Sequence, residues 1–83
     1  MPTVTLIGKP GCHLCDDARA VVQDVLGDLE RQGRPVRLVE RSILDDAGLQ
    51  EAYGEDIPVV LVGERFFARW HVDPERLRAE LTA

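Results

Sequence analysis

The chain has 83 residues, 45% of them hydrophobic, and a formal net charge of -5, which suits one small folded domain. The acidic balance argues against nucleic acid or an anionic membrane as partner, because both attract a surplus of Lys and Arg. No apolar run approaches the ~20 residues of a membrane span, and the N-terminus lacks the charged and apolar regions of a signal peptide. We therefore expect a single cytoplasmic domain over residues 1–83.

The first two predicted elements are a strand over residues 3–7 and a long helix that starts near Leu14. β-branched and apolar residues form the strand, and Gly8, Pro10 and Gly11 end it. The helix has apolar residues at the spacing of one buried face: Ala18, Val21, Val22, Val25, Leu26 and Leu29. Gly33 is the predicted stop, so this helix is the longest element of the chain.

A second strand is predicted over residues 36–40, and a helix separates it from the first strand. The two strands should therefore be parallel, with a right-handed crossover. Residues 45–53 predict a short helix that ends at Gly54, although Gly48 within it costs about 1 kcal/mol relative to Ala.

Residues 57–62 predict a third strand that tolerates Pro58 only at its start, where a ladder N–H is not needed. Residues 65–69 should pair with it as a hairpin. The last helix has Asp73 at the N-cap and a proline at the first helical position, with Val72 placed to pack against Leu77. The predicted order is therefore β-α-β-α-β-β-α.

Both cysteines, Cys12 and Cys15, lie between the first strand and the first helix. Thiols three positions apart can close a disulfide within one helical turn, and a helix N-terminus favours a thiolate at Cys12. Lys9 adds positive charge nearby, and Lys9 and His13 are also candidate substrate-binding residues. In a reducing compartment such a pair indicates catalysis or metal binding rather than a disulfide scaffold.

The element order, the Cys-His-Leu-Cys motif at residues 12–15 and the Ile-Pro-Val segment at residues 57–59 resemble a thioredoxin-like fold of the glutaredoxin kind. The resemblance covers essentially the whole chain and is strongest to bacterial glutaredoxin-like proteins. It implies an α/β fold in which helices flank a four-stranded mixed sheet. It also implies that Cys12 attacks, that Cys15 resolves, and that Pro58 is cis and faces the disulfide.

This resemblance and the two cysteines predict that the protein is a dithiol thiol-disulfide oxidoreductase, which takes part in electron transport and cell redox homeostasis. Its substrates would be protein disulfides or low-molecular-weight mixed disulfides, and the main chain of Ile57 could pair with an extended substrate segment. The electron donor would be a thioredoxin-reductase-like enzyme or a thiol such as glutathione. We expect a monomer with no tightly bound cofactor.

Four further residues have two interpretations each. His13 as a cation would stabilise a thiolate at Cys12, or it is an exposed spacer. Asp16 and Asp17 are partners of the helix dipole, or one of them transfers a proton. Glutaredoxins usually have a Gly-Gly pair and an Asp before the last helix; no glycine occurs over residues 68–73, and Asp73 would bind substrate or only cap the helix.

Trp70 occupies part of the region in which the glycines are missing. We expect its side chain to pack on the last helix or to fill the space that the glycines leave.

Two other functions are open. The chain could bind a metal through Cys12, Cys15 and His13 or His71, but two thiolates do not complete a zinc site, and no metal ligand set is predicted. Two copies could share an iron–sulfur cluster through Cys12. A docking module would present the aromatic residues Phe66, Phe67 and Trp70 to a partner, although such residues more often belong to the core at this size.

Overall fold

The computed structural model describes every residue from Met1 to Ala83. Three helices and four strands alternate in the predicted order. They are β1 (Thr3–Gly8), α1 (His13–Arg31), β2 (Arg37–Ser42), α2 (Ala47–Tyr53), β3 (Val59–Val62), β4 (Arg65–Arg69) and α3 (Pro74–Thr82).

The four strands form one mixed sheet in the order β2-β1-β3-β4. β1 runs parallel to β2 and antiparallel to β3, and β4 pairs with β3 as a hairpin. At the end of β1, Ile7 pairs with Arg41 on one side and with Val59 on the other. The end of β2 and the start of β3 therefore lie at the same end of the sheet as the end of β1. From there the chain continues toward the cysteines.

The core lies between this sheet and the helices α1 and α3. Its main cluster joins apolar residues of α1 to Val4, Leu6 and Val60 of the sheet and to Leu77 of α3. The predicted apolar face of α1 is the buried one: Ala18, Val22, Val25, Leu26 and Leu29 are buried, and Val21 packs against them. Burial of this face fixes the rotation of α1 and hence the direction in which its first turn presents the cysteines.

Backbone hydrogen bonds end α1 where the sequence predicts. Gly33 has a φ of +78°, which a residue without Cβ adopts readily. Its N–H donates to the carbonyl of Glu30 at 3.0 Å, and the N–H of Arg34 donates to the carbonyl of Leu29 at 2.8 Å. These two bonds form a Schellman cap, which satisfies carbonyls that the helix end leaves free.

The caps of the other helices follow the same principle. Asp73 accepts hydrogen bonds from the N–H groups of Glu75 and Arg76, as predicted. Val72 and Leu77 are buried in one cluster on either side of this cap. For α2 the N-cap is Asp46, whose carboxylate accepts from Gly48 and Leu49, so the helix begins later than predicted.

The strand boundaries differ from the predicted ones in four places. β1 ends one residue later, at Gly8, and β2 begins one residue later, at Arg37. β2 extends two residues past Glu40 because its ladder with β1 continues to Ser42. β3 begins at Val59 rather than at Ile57, since the Ile57–Pro58 bond is cis and the proline has no N–H for the ladder. None of the three helices combines the length and the apolar character needed to cross a lipid bilayer.

Candidate active site

Cys12 and Cys15 lie together at the start of α1. Cys12 is the N-cap residue, with extended backbone, and its sulfur accepts a hydrogen bond from the N–H of Cys15 at 3.2 Å. Serine, threonine or aspartate oxygens usually do this at N-caps, and here a sulfur takes their place. Both thiols are free; Cys12 is half-buried, and Cys15 is only 1% exposed. An outer thiol and an inner thiol are thus held one helical turn apart.

The surroundings of Cys15 keep it protonated. Burial raises the pKa of the Cys15 thiol from its ordinary 9.0 to about 11, and a side-chain hydrogen bond between the Cys15 thiol and Cys12 acts in the same direction. A hydrogen bond from the backbone of Lys9 lowers this pKa but does not offset burial. At neutral pH the inner thiol therefore holds its proton.

Gly8, at the end of β1, makes room for the inner sulfur. A methyl group on its Cα would lie 2.8 Å from Sγ of Cys15, closer than real side-chain carbons approach. The absence of a side chain at Gly8 is therefore what allows Cys15 to pack directly against the sheet.

Pro58 lies at the same end of the sheet. The peptide bond between Ile57 and Pro58 is cis, as the resemblance implied. Because Ile7 pairs with Val59 in the antiparallel ladder, the same register places Pro58 opposite Gly8, the residue that Cys15 contacts. The proline thus lies beside the residue against which the Cys15 sulfur packs.

The main chain of Ile57 is free. Neither its N–H nor its carbonyl takes part in any backbone hydrogen bond of the structure, and the residue is half-buried. An extended peptide needs such a pair of free groups to add to a sheet edge.

The main chain of Trp70 is hydrogen-bonded to that of Pro58. Its φ is +65°, its N–H donates to the carbonyl of Pro58 at 2.8 Å, and the N–H of His71 donates to the carbonyl of Arg69 at 2.7 Å. The last bond makes a γ-turn with a positive φ at its centre, a rare and strained conformation. The guanidinium of Arg69 lies 4.3 Å from the centre of the Trp70 ring and also pairs with Asp56.

The Trp70 side chain is 44% exposed. It borders a small crevice of about 90 Å³ together with Asp17, Ala18 and Val21 of α1. That Trp70 packs on the last helix or fills the space left by the missing glycines stays a prediction.

The model of a family described as Glutaredoxin-like domain (DUF836) matches residues 3–82. The chain belongs to this glutaredoxin-like family. It is similar to an uncharacterized protein of Mycobacterium tuberculosis, with 28% identity over 80 residues that cover 96% of this chain and 82% of the relative.

Solved structures support the same fold. The protein XcR50 from X. campestris is 34% identical, with a TM-score of 0.73 and 95% of each chain covered. Mitochondrial thioredoxin 3 from Saccharomyces cerevisiae is 13% identical, with a TM-score of 0.67 and coverage of 98% of this chain and 76% of that one. The glutaredoxin-like domain therefore has the thioredoxin-like fold that the sequence predicted.

The remaining predicted site residues occupy three places in the glutaredoxin-like domain. Lys9 is exposed in the loop after β1, and its backbone reaches Cys15. His13 is the exposed first residue of α1. Asp73 is exposed at the start of α3, where one carboxylate oxygen caps the helix. Their roles in substrate binding stay predictions.

Sequence reasoning missed a charged cleft on the β2 side of Cys15. The cleft has a volume of about 390 Å³ and is bordered by Cys15, Asp16, Arg19 and Glu40 among others. Arg19 donates to Asp16 at 2.9 Å and to Glu40 at 2.5 Å. The helical spacing of Asp16 and Arg19 is visible in the sequence, but the contact with Glu40 depends on how α1 crosses β2.

No group of three or more His, Cys, Asp or Glu side chains in the structure is arranged to hold a metal ion. An iron–sulfur cluster shared by two copies of the chain, through one Cys12 from each, stays an untested alternative.

Proposed function

We propose that this glutaredoxin-like domain is a dithiol thiol-disulfide oxidoreductase. The observation that carries the proposal is that a half-buried Cys12 lies beside a buried, protonated Cys15, whose backbone N–H donates to the Cys12 sulfur. A nucleophilic thiol must be reachable by substrate, and a resolving thiol should stay unreactive until a mixed disulfide forms beside it. The two cysteines meet these opposite requirements at one helix start.

The cycle balances in two steps. The Cys12 thiolate attacks a substrate disulfide, so that one substrate sulfur is bonded to Cys12 and the other leaves as a thiolate. Cys15 then loses its proton to solvent and attacks Sγ of Cys12, which releases the second substrate thiolate and closes the Cys12–Cys15 disulfide. One substrate disulfide gains two electrons, and the two protein thiols lose them.

Substrate would lie along the edge formed by Ile57 and Pro58. The free N–H and carbonyl of Ile57 support pairing with an extended peptide, which would bring its sulfur beside Cys12. Lys9 lies in the loop before Cys12 and His13 directly follows it, so both would contribute positive charge toward the attacking thiolate. Asp73 would bind a cationic group of the substrate with the carboxylate oxygen that does not cap α3.

The oxidised domain must be reduced again by two electrons. A thioredoxin-reductase-like enzyme or a low-molecular-weight thiol such as glutathione would supply them, with no tightly bound cofactor in the domain. We expect it to act as a monomer in the cytoplasm, where thiol pools keep such cysteines reduced.

Turnover assays test the proposal. Purified domain should catalyse reduction of insulin, or of a mixed disulfide between glutathione and a small thiol, when glutathione, a thioredoxin reductase or dithiothreitol is the reductant. Cys12→Ser should reduce the rate to the uncatalysed background, whereas Cys15→Ser should keep the first attack. Absence of turnover with all three reductants would overturn the assignment.

A further inference from the structure

Three charged side chains on the β2 side of Cys15 form one connected network. Arg19 lies one helical turn after Cys15 and borders the same cleft. Its Nη1 donates to Asp16 at 2.9 Å and its Nε donates to Glu40 of β2 at 2.5 Å. One guanidinium thus holds two carboxylates in the wall of the cleft that contains the resolving thiol.

The charge of Asp16 matters because this residue directly follows Cys15. A carboxylate near a thiol opposes formation of the thiolate, and Asp16 acts on the Cys15 thiol in this direction. The charged and titratable groups that face Cys15 come from the β1–α1 loop, α1, β2 and the loop after β2: Lys9, Cys12, Asp16, Arg19, Glu40, Arg41 and Asp45. Only Arg19 among the cations is paired with carboxylates of this set.

We propose that Arg19 is a positioning residue for the resolving step, because it holds Asp16 and Glu40 and partly offsets the negative charge with which they oppose formation of the Cys15 thiolate. The inference rests on the proposed dithiol cycle and assigns a residue to its second half. Arg19 forms no bond with substrate and exchanges no proton. It acts through the two carboxylates.

Loss of Arg19 should slow only the resolving step, in which Cys15 attacks the mixed disulfide. In the mixed disulfide, Cys12 is bonded to substrate and carries no charge, so the charge around Cys15 then comes from the network and from Lys9, Arg41 and Asp45. Cys15 must then release its proton before its sulfur can attack Sγ of Cys12 and expel the substrate thiolate. The first attack uses Cys12, which lies at the outer end of the helix and does not line the cleft.

The two stages can be measured separately with an aromatic disulfide whose released thiolate is coloured. Reduced protein should release one equivalent when Cys12 attacks and a second equivalent when Cys15 resolves. Loss of Arg19 in Arg19→Ala should slow the second phase about three- to tenfold, since a raised thiol pKa of about half to one unit lowers the thiolate fraction by this factor. The rate of the second phase should also reach its half-maximum at higher pH.

The chain offers a matched control. Arg31 pairs with Asp28 at the same helical spacing on α1, but in its last turn, far from the cysteines. Arg31→Ala should leave both phases unchanged. Arg19→Lys, which keeps the charge, should restore most of the second-phase rate, and so should Asp16→Asn combined with Glu40→Gln in the Arg19→Ala background. Exposed ion pairs contribute little to stability, so these variants should fold.

The outcomes separate the inference from the proposed function. If wild-type protein releases a single equivalent, the dithiol cycle itself fails. If wild-type protein shows two phases and Arg19→Ala shows the same second-phase rate, the role of Arg19 is overturned. Equal slowing of both phases, or a loss that neither rescue variant repairs, would also overturn it and would indicate only a structural contribution.

Discussion

Gly8 contacts Cys15 so closely that a methyl group on the glycine would lie 2.8 Å from Sγ of the cysteine. This contact joins the end of β1 to the first turn of α1. It also sets the depth of the inner sulfur, and with it the burial that keeps Cys15 protonated. The geometry of the cysteine pair is therefore fixed partly by a residue with no side chain.

Gly8→Ala should destabilise the reduced domain by about 1–3 kcal/mol, because the added carbon must displace a sulfur that is already packed. Urea unfolding measures this loss. Gly27→Ala is the matched control: the nearest atom to its new methyl group is 3.6 Å away, and alanine in a helix interior is favoured over glycine by up to ~1 kcal/mol. Equal effects of the two substitutions would show that the contact at Gly8 is not tight.

The pKa of Cys15 predicts how stability depends on pH. Because folding raises this pKa from its ordinary 9.0 to about 11, the folded state holds the proton more tightly than the unfolded state. The resulting stabilisation is complete below pH 9 and is lost as the pH rises toward about 11. The loss should be about 2–3 kcal/mol.

Urea unfolding of the reduced wild type and of Cys15→Ala over this pH range isolates the effect, since other groups titrate in both proteins. The wild type should lose more stability than the variant. Parallel curves would contradict the burial of Cys15 as the cause.

The left-handed backbone at Trp70 predicts an unusual order of stability among variants. Trp70→Ala keeps the unfavourable φ of +65° and loses the contact with Arg69, whereas Trp70→Gly loses the contact but relieves the strain. The glycine variant should therefore be more stable than the alanine variant by about 1 kcal/mol. Thermal or urea unfolding gives the order, and a more stable alanine variant would rule out strain at this position.

The two interpretations of Asp73 can be separated by substitution. Asp73→Ala should cost about 1 kcal/mol because α3 loses its N-cap, and Asp73→Asn should cost less because the amide oxygen still accepts the hydrogen bonds. If Asp73 also binds substrate through its charge, as the sequence predicts, Asp73→Asn should raise KM for a substrate with an ammonium group. An unchanged KM would leave capping as its function.

Local patterns accounted for most of the fold. The apolar face of α1, the Schellman glycine Gly33 and the Asp73 cap are each set by a few neighbouring residues, and each was predicted in place. Boundaries were less accurate where two acids compete for a cap, as at Asp45 and Asp46, or where a ladder with a distant strand sets the end of β2.

The candidate site was only partly visible in the sequence. The spacing of Cys12 and Cys15 and the segment around Pro58 indicate redox chemistry. Three other features depend on how separate elements pack, so no local sequence pattern predicts them. They are the close approach of Gly8 to Cys15, the left-handed backbone of Trp70 and the pairing of Arg19 with Glu40.

Intact-mass analysis tests the dithiol cycle most directly. Reduced wild type, Cys12→Ser and Cys15→Ser are each mixed with one equivalent of a small mixed disulfide, quenched with acid and weighed. The dithiol cycle predicts an internal disulfide without adduct for the wild type, a stable adduct on Cys12 for Cys15→Ser, and no adduct for Cys12→Ser. An adduct that forms as readily on Cys15 as on Cys12, or a wild type that keeps its adduct, would contradict it.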